Sequence, residues 1–345
     1  MGVTSGTGNT VFGRTEGFAG AENILDETPD YSKYGDTAQR LADGTLAWTG
    51  PETVLVWTAP AGSEANVAWG AVANNYTTWF TKPGGTEKVA WLNGAKAVFG
   101  KAGTCTGIRI ASTKVAVNEI RILGETPPIA FTAQGSNESV QFCGDGEGVA
   151  RIVTPQDVSF LRSYTVKHPD ASYPVATKLV LQKPAEAEGT PQVSFLLRNS
   201  ATVFYREMPV ELDGATLTFD LDATSTVGGK ATYAFTPTGI SGTGDLCLLS
   251  QTGTTNTTAV SVGALDVALF TQTGRTVVDG PISAEFVVQN ALSAASSLVV
   301  TNGARVVGRY PLGGTDSTQP IAVARDSTLE VQFASETVAR AAVRS

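Results

Sequence analysis

A single histidine in 345 residues limits what chemistry this chain can do. His168 has no second imidazole with which to share a metal ion, and no nucleophile motif accompanies it. It lies in Val166-Lys-His-Pro-Asp170, ahead of a proline-fixed turn. A Gly-x-Ser-x-Gly elbow, a phosphate loop and a Cys-x-x-Cys pair are also missing. The three cysteines, Cys105, Cys143 and Cys247, are an odd number spread over three regions. They exclude a disulfide framework and are expected to be reduced, small buried residues. Charged residues make up 16% of the chain, well below the roughly 25% of ordinary soluble domains. The net charge of −8, with no cluster of Lys and Arg, excludes nucleic acid as a partner. No apolar run approaches the roughly 18 residues of a spanning helix, so a membrane is not expected. The first residues, Met1-Gly-Val-Thr-Ser-Gly-Thr-Gly8, show neither a basic nor an apolar region of a secretion signal, and the protein is expected to stay where it is made until assembled or released.

What the chain has instead is tryptophan in one place. Trp48, Trp57, Trp69, Trp79 and Trp91 follow one another at intervals of nine to twelve residues, and none occurs after Trp91. That interval matches successive short strands of an all-β domain, each giving one indole to a shared core or face. Strand-like runs include Val54-Leu-Val-Trp57, Asn66-Val-Ala-Trp69, Tyr76-Thr-Thr-Trp-Phe80 and Lys88-Val-Ala-Trp-Leu92, punctuated by Pro83-Gly-Gly85 and by the hairpin signal Asn93-Gly94. Most of these indoles are expected in the core. Trp79, beside Asn75 and Tyr76 and ahead of the Lys82-Pro-Gly-Gly85 turn, is the candidate for an exposed one. Trp79, Tyr76 and Asn75 are therefore the candidate ligand-binding residues, since an indole beside polar side chains can hold a pyranose.

Further on, Ile108 and Ile110 alternate with Arg109, and Ile120 and Ile122 with Arg121, the period of two of a half-buried sheet. The run Cys105-Thr-Gly-Ile-Arg-Ile-Ala-Ser-Thr-Lys-Val-Ala-Val-Asn-Glu-Ile-Arg-Ile-Leu-Gly124 resembles the closing strands of discoidin-like (coagulation factor 5/8 type C) galactose-binding jelly rolls. The resemblance implies an eight-stranded sandwich whose end loops bind glycans or lipid head groups. It carries no binding residue over to a position here.

Thr126-Pro-Pro128 reads as a boundary, because consecutive prolines cannot continue a ladder. From 176 to 272 about seven strand-like runs recur with turns between them, the pattern of an immunoglobulin-like sandwich. Leu212-Asp-Gly-Ala-Thr-Leu-Thr-Phe-Asp-Leu221, Ala231-Thr-Tyr-Ala-Phe-Thr-Pro237 and Gly244-Asp-Leu-Cys-Leu248 are similar to immunoglobulin-like domains of tailed-phage baseplate and fibre proteins. The expected fold is all-β, with tandem β-sandwiches: an arm or edge loops at 1–35, a discoidin-like jelly roll at 36–126, a connecting β segment at 127–175, an immunoglobulin-like domain at 176–272 and a C-terminal β domain at 273–345. No internal repeat is apparent.

Acids offer little more. Asp26, Glu27, Asp30 and Asp36 have no ordered calcium-ligand spacing. Asp220 and Asp222 share a strand face by parity, but paired carboxylates of that kind are usually solvated. The chain is thus expected to be non-enzymatic, without cofactor or metal. The two resemblances imply a virion structural protein of a tailed phage, as head decoration, head fibre, tail fibre or baseplate component. Its expected partners are other virion proteins, further copies of itself in a homo-oligomer such as a trimer, and surface glycans. The alternative is a carbohydrate-binding adhesion module acting in host recognition.

Overall fold

A computed structural model describes residues 13–14, 37–40, 45–49, 53–63, 68–70, 79–81, 83–86, 88–89, 91, 93–100, 103–110, 115–124, 127–133, 140–161, 176–197, 208–221, 232–233, 239–250, 260–266, 272–280, 282–287, 297–309 and 321–332. Among them there are strands and no helix. The strands do not form sandwiches. Gly13–Arg14, Thr37–Arg40 and Thr45–Thr49 make a small antiparallel sheet, and from Val54 onward the strands are laid mainly in long parallel sheets, which overturns the expected tandem jelly-roll and immunoglobulin-like folds.

The first sheet runs through Val54–Trp57, Lys96–Phe99, Glu119–Ile122, Val149–Val153, Lys178–Gln182, Val210–Asp213 and Ile240–Thr243, every neighbour parallel. The second contains ten strands, Ala68–Trp69, Gly107–Ile110, Ile129–Ala133, Val158–Leu161, Gln192–Leu197, Thr216–Leu221, Leu246–Ser250, Arg275–Asp279, Ser297–Thr301 and Ile321–Val323. They too are parallel throughout. A third face is formed early by the parallel pair Val115–Val117 and Val140–Phe142. Later it is formed by Thr232–Tyr233, Val260–Asp266, Ile282–Val287, Arg305–Arg309 and Thr328–Gln332, again parallel.

Parallel strands cannot be joined by tight hairpins and commonly need a helical crossover. Here the crossover is the other sheets. The chain passes from Glu119–Ile122 to Ile129–Ala133, to Val140–Phe142, and returns to the first sheet at Val149–Val153 one rung further on. The architecture is a parallel β-helix, a coil whose successive turns stack in register.

Register explains the core. Ile108, Phe131, Phe160, Phe195, Phe219, Leu248, Val278 and Val300 are successive partners in the second sheet and form one inward column. All eight are essentially inaccessible. Strand stacking sets the column's spacing: the Phe131 and Phe160 ring centroids are 4.9 Å apart and those of Phe160 and Phe195 4.8 Å, with interplanar angles of 18° and 9°, close to the roughly 4.8 Å between strands. A second column in the first sheet holds Ala97, Ile120, Ile152, Leu181 and Leu212, all buried. Buried residues from Leu55 to Val306 belong to a single hydrophobic cluster.

Corners that lead into the second sheet are tight where glycine permits them. Gly214, Gly244 and Gly274 occupy the same corner of three successive rungs. A Cβ on Gly244 would lie 2.1 Å from the Ala215 carbonyl oxygen, and one on Gly274 2.0 Å from the Gly244 oxygen. Only a residue without a side chain lets the rungs approach this closely. After Ile240–Thr243 the described rungs alternate between the second and third sheets alone. At that transition Gln272 and Thr276, both fully buried, are joined by a 2.9 Å bond from Gln272 Nε2 to Thr276 Oγ1.

Candidate functional site

The tryptophan stretch packs at the beginning of the coil. Trp57, Trp69 and Trp91 are buried, with Phe80 and Phe99 between them. Trp57 meets Phe80 edge-on at 5.2 Å, Trp69 meets Trp91 edge-on at 4.9 Å, and Phe99 meets Phe131 at 5.3 Å. Edge-to-face contacts at these distances add to the burial of the rings themselves. This aromatic cluster joins the Phe column of the second sheet through Phe131 and closes one end of the core. Asn93 Oδ1 accepts from Trp91 Nε1 at 3.1 Å and from the Ala116 amide at 3.0 Å. The Asn93-Gly94 turn is present, with Gly94 at a φ of 90°, but it leads Lys96–Phe99 into a parallel sheet and makes no hairpin.

An antiparallel hairpin does form at the edge of the first sheet. Phe80–Thr81 pairs antiparallel with both Val54–Trp57 and Lys88–Val89. The exposed turn residues Pro83 to Thr86 connect its arms, with Gly84 at a φ of 72°. Trp79 immediately precedes the first arm. Its carbonyl oxygen accepts from the Thr58 amide at 2.8 Å and from Thr58 Oγ1 at 2.7 Å, which fixes the backbone under the indole. The side chain is half-buried and packs against the main core. Lys88 Nζ sits over its ring, 4.3 Å from the centroid. Thr81 is opposite Lys88 in the hairpin register, so Trp79 and Lys88 share one side of it.

Of the three residues singled out in the sequence, Trp79 is placed this way, while Tyr76 and Asn75 lie outside the described residues. Lys88 was missed. The signal that could have found it is the Pro83-Gly-Gly85 turn, which folds the lysine back onto the strand that follows Trp79.

Ion pairs form elsewhere among the described residues. Arg121 bonds Glu119 at 2.6 Å, Lys178 bonds Glu211 at 2.6 Å, Arg275 bonds Asp245 at 2.6 Å, and Arg151 and Arg305 hold Asp145 and Glu330 at 2.5 Å. Burial alone would raise the Asp145 carboxyl, but Arg151 and the amides of Val149 and Glu147 outweigh it and hold the group below its ordinary value. Asp220 is half-buried on the outer side of the second sheet, near Cys247; Asp222 lies outside the described residues. Burial, with Asp279, Asp220 and Asp245 nearby, pushes the Cys247 thiol up to about 11. Among the described residues, no group of three or more His, Cys, Asp or Glu is placed to hold a metal ion, and no helix is long and apolar enough to cross a membrane. His168 and the acids Asp26, Glu27, Asp30 and Asp36 lie outside the described residues apart from their sequence.

The first of the two short resemblances reads differently in three dimensions. Gly107–Ile110 belongs to the second sheet, and Val115–Val117 and Glu119–Ile122 to the third and first, each pairing with neighbouring rungs and not with one another. Comparison with known proteins finds no matching family model, no matching curated protein and no matching solved structure.

Proposed function

We propose that the chain is a non-enzymatic structural protein of a virion, a fibre, decoration or tail component that assembles with other virion proteins and with further copies of itself. The observation that carries this is the coil itself. Backbone hydrogen bonds between rungs run along the coil axis, and the column from Ile108 to Val300 packs continuously beneath them. A shaft built this way resists bending and pulling because every rung is bonded to the next. The low charge of the chain, with Lys178 and Arg275 among the cations held by carboxylates, leaves an outer surface suited to broad, weakly polar contact.

Immunogold electron microscopy of phage particles released from the source culture tests it. Antibody against the chain should decorate head or tail at a constant position. A protein that stays monomeric and is never found on particles would overturn the proposal.

The second reading, a carbohydrate-binding adhesion module, is favoured by one feature: Trp79 is only half-buried, beside the exposed turn from Pro83 to Thr86. Both readings hold together if a shaft carries a glycan-binding end.

A further inference from the structure

We propose that Trp79 and Lys88 form a site for acidic polysaccharide, with a uronate carboxylate taken by Lys88 and the apolar face of the sugar laid on the part of the indole face that the ammonium leaves open. The proposal deepens the attachment reading above by naming the ligand class.

Three observations carry it. First, Lys88 is placed differently from the five paired cations described above, although Lys183 and Arg325 also lack a carboxylate partner among the described residues. Arg121, Arg151, Lys178, Arg275 and Arg305 are each engaged by a carboxylate. Lys88 has no carboxylate partner among the described residues, and it is exposed over an aromatic ring. A cation held by an indole retains its charge and its donors for a second partner. Second, the pair is rigidly mounted. Thr58 holds the Trp79 carbonyl by two bonds, and the hairpin ladder positions Lys88 opposite Thr81. A preformed site loses little entropy on binding. Third, the pair stands next to an exposed turn at the sheet edge, so an extended polymer can approach without displacing core residues.

The chemistry follows from the two side chains. A neutral sugar would gain only the stacking contact, with the ammonium covering part of the ring. A hexuronate supplies a carboxylate beside its apolar face and gains a charge-assisted hydrogen bond as well. Because the chain carries a net charge of −8, an acidic polymer is repelled by the molecule as a whole, and retention requires a specific cationic point.

The test is affinity electrophoresis of the full chain through gels containing polygalacturonate or dextran, at low and high salt. Polygalacturonate should retard the chain at low salt and dextran should not. Lys88→Gln should weaken retardation about tenfold, the loss expected for one charge-assisted bond, and Lys88→Arg should keep it. Trp79→Phe, which retains a ring for packing, should weaken binding with an unchanged circular dichroism spectrum. No retardation by polygalacturonate, equal retardation by dextran, or undiminished binding by Lys88→Gln would each overturn the proposal. None of those results touches the structural role, which rests on particle labelling.

Discussion

Phe160 and Phe195 stack face to face at 4.8 Å although 35 residues separate them, and each is the register partner of the other in a parallel sheet. The pair shows how the coil is held: identical rings at equivalent points of successive rungs, spaced by the backbone. Removing one ring leaves a cavity bounded by rings that the ladder prevents from collapsing. Phe195→Ala should therefore cost about 3–5 kcal/mol, and Phe195→Leu clearly less. Urea unfolding followed by circular dichroism measures both, and the midpoints should fall in that order.

Glycine at the corners is a steric requirement. Gly274→Ala drives a methyl group into the Gly244 carbonyl and Gly244→Ala drives one into that of Ala215. Each should cost about 3 kcal/mol or more, at the severe end for single substitutions. Gly303, at a φ of 81° but with nothing near its missing Cβ, separates strain from collision. Gly303→Ala should cost about 1 kcal/mol. Equal losses for Gly274 and Gly303 would remove the steric account.

The thiols should be silent in the folded protein. Cys105 and Cys143 are buried, and burial pushes the Cys143 thiol up to about 12. Cys247 is raised to about 11. Since the thiolate is the reactive form, labelling with an aromatic disulfide near pH 8 should be slow for these two until denaturant is added, then complete. Fast labelling of Cys143 in the native protein would contradict the described packing.

Asp145 links acidity to stability. Its folded carboxyl titrates below its ordinary value, so the charged form contributes stability that is present above the unfolded pKa and lost as pH falls through the folded one. The loss should begin below about pH 4, where an unfolded aspartate takes up its proton. Asp145→Asn should lower the thermal midpoint at neutral pH and flatten its decline in acid, as read by melting curves across that range.

How much of this the sequence discloses can be seen strand by strand. Alternation around Arg109 and Arg121 identified strands with one buried face, and Ile108, Ile110, Ile120 and Ile122 are indeed inward. Alternation does not say which strand lies alongside. A coil rung packed on one face has the same period as an antiparallel strand, without the continuous apolar run typical of a doubly covered parallel sheet. Nor did a repeat stand out, because the distances along the Phe column vary: 29 residues from Phe131 to Phe160, 35 to Phe195 and 24 to Phe219. Insertions at corners disperse the period without disturbing the register. The available clue was smaller: Asp213-Gly214, Thr243-Gly244 and Thr273-Gly274 recur every 30 residues, each ahead of a strand of the second sheet. Trp79 was read as the exposed indole and is half-buried against the core; its lysine partner required the hairpin pairing.

Cross-linking between rungs tests the stacked coil most directly. Ser159 and Ser194 are register partners on adjacent strands, and Thr218 lies one rung beyond Ser194. Neighbouring parallel strands bring such residues within disulfide reach, while residues two strands apart are about 9–10 Å distant and beyond it. The variant Ser159→Cys with Ser194→Cys should oxidise to an intramolecular disulfide, identified by peptide mass, and Ser159→Cys with Thr218→Cys should not. A bridge in the second variant, or none in the first, would contradict the parallel coil.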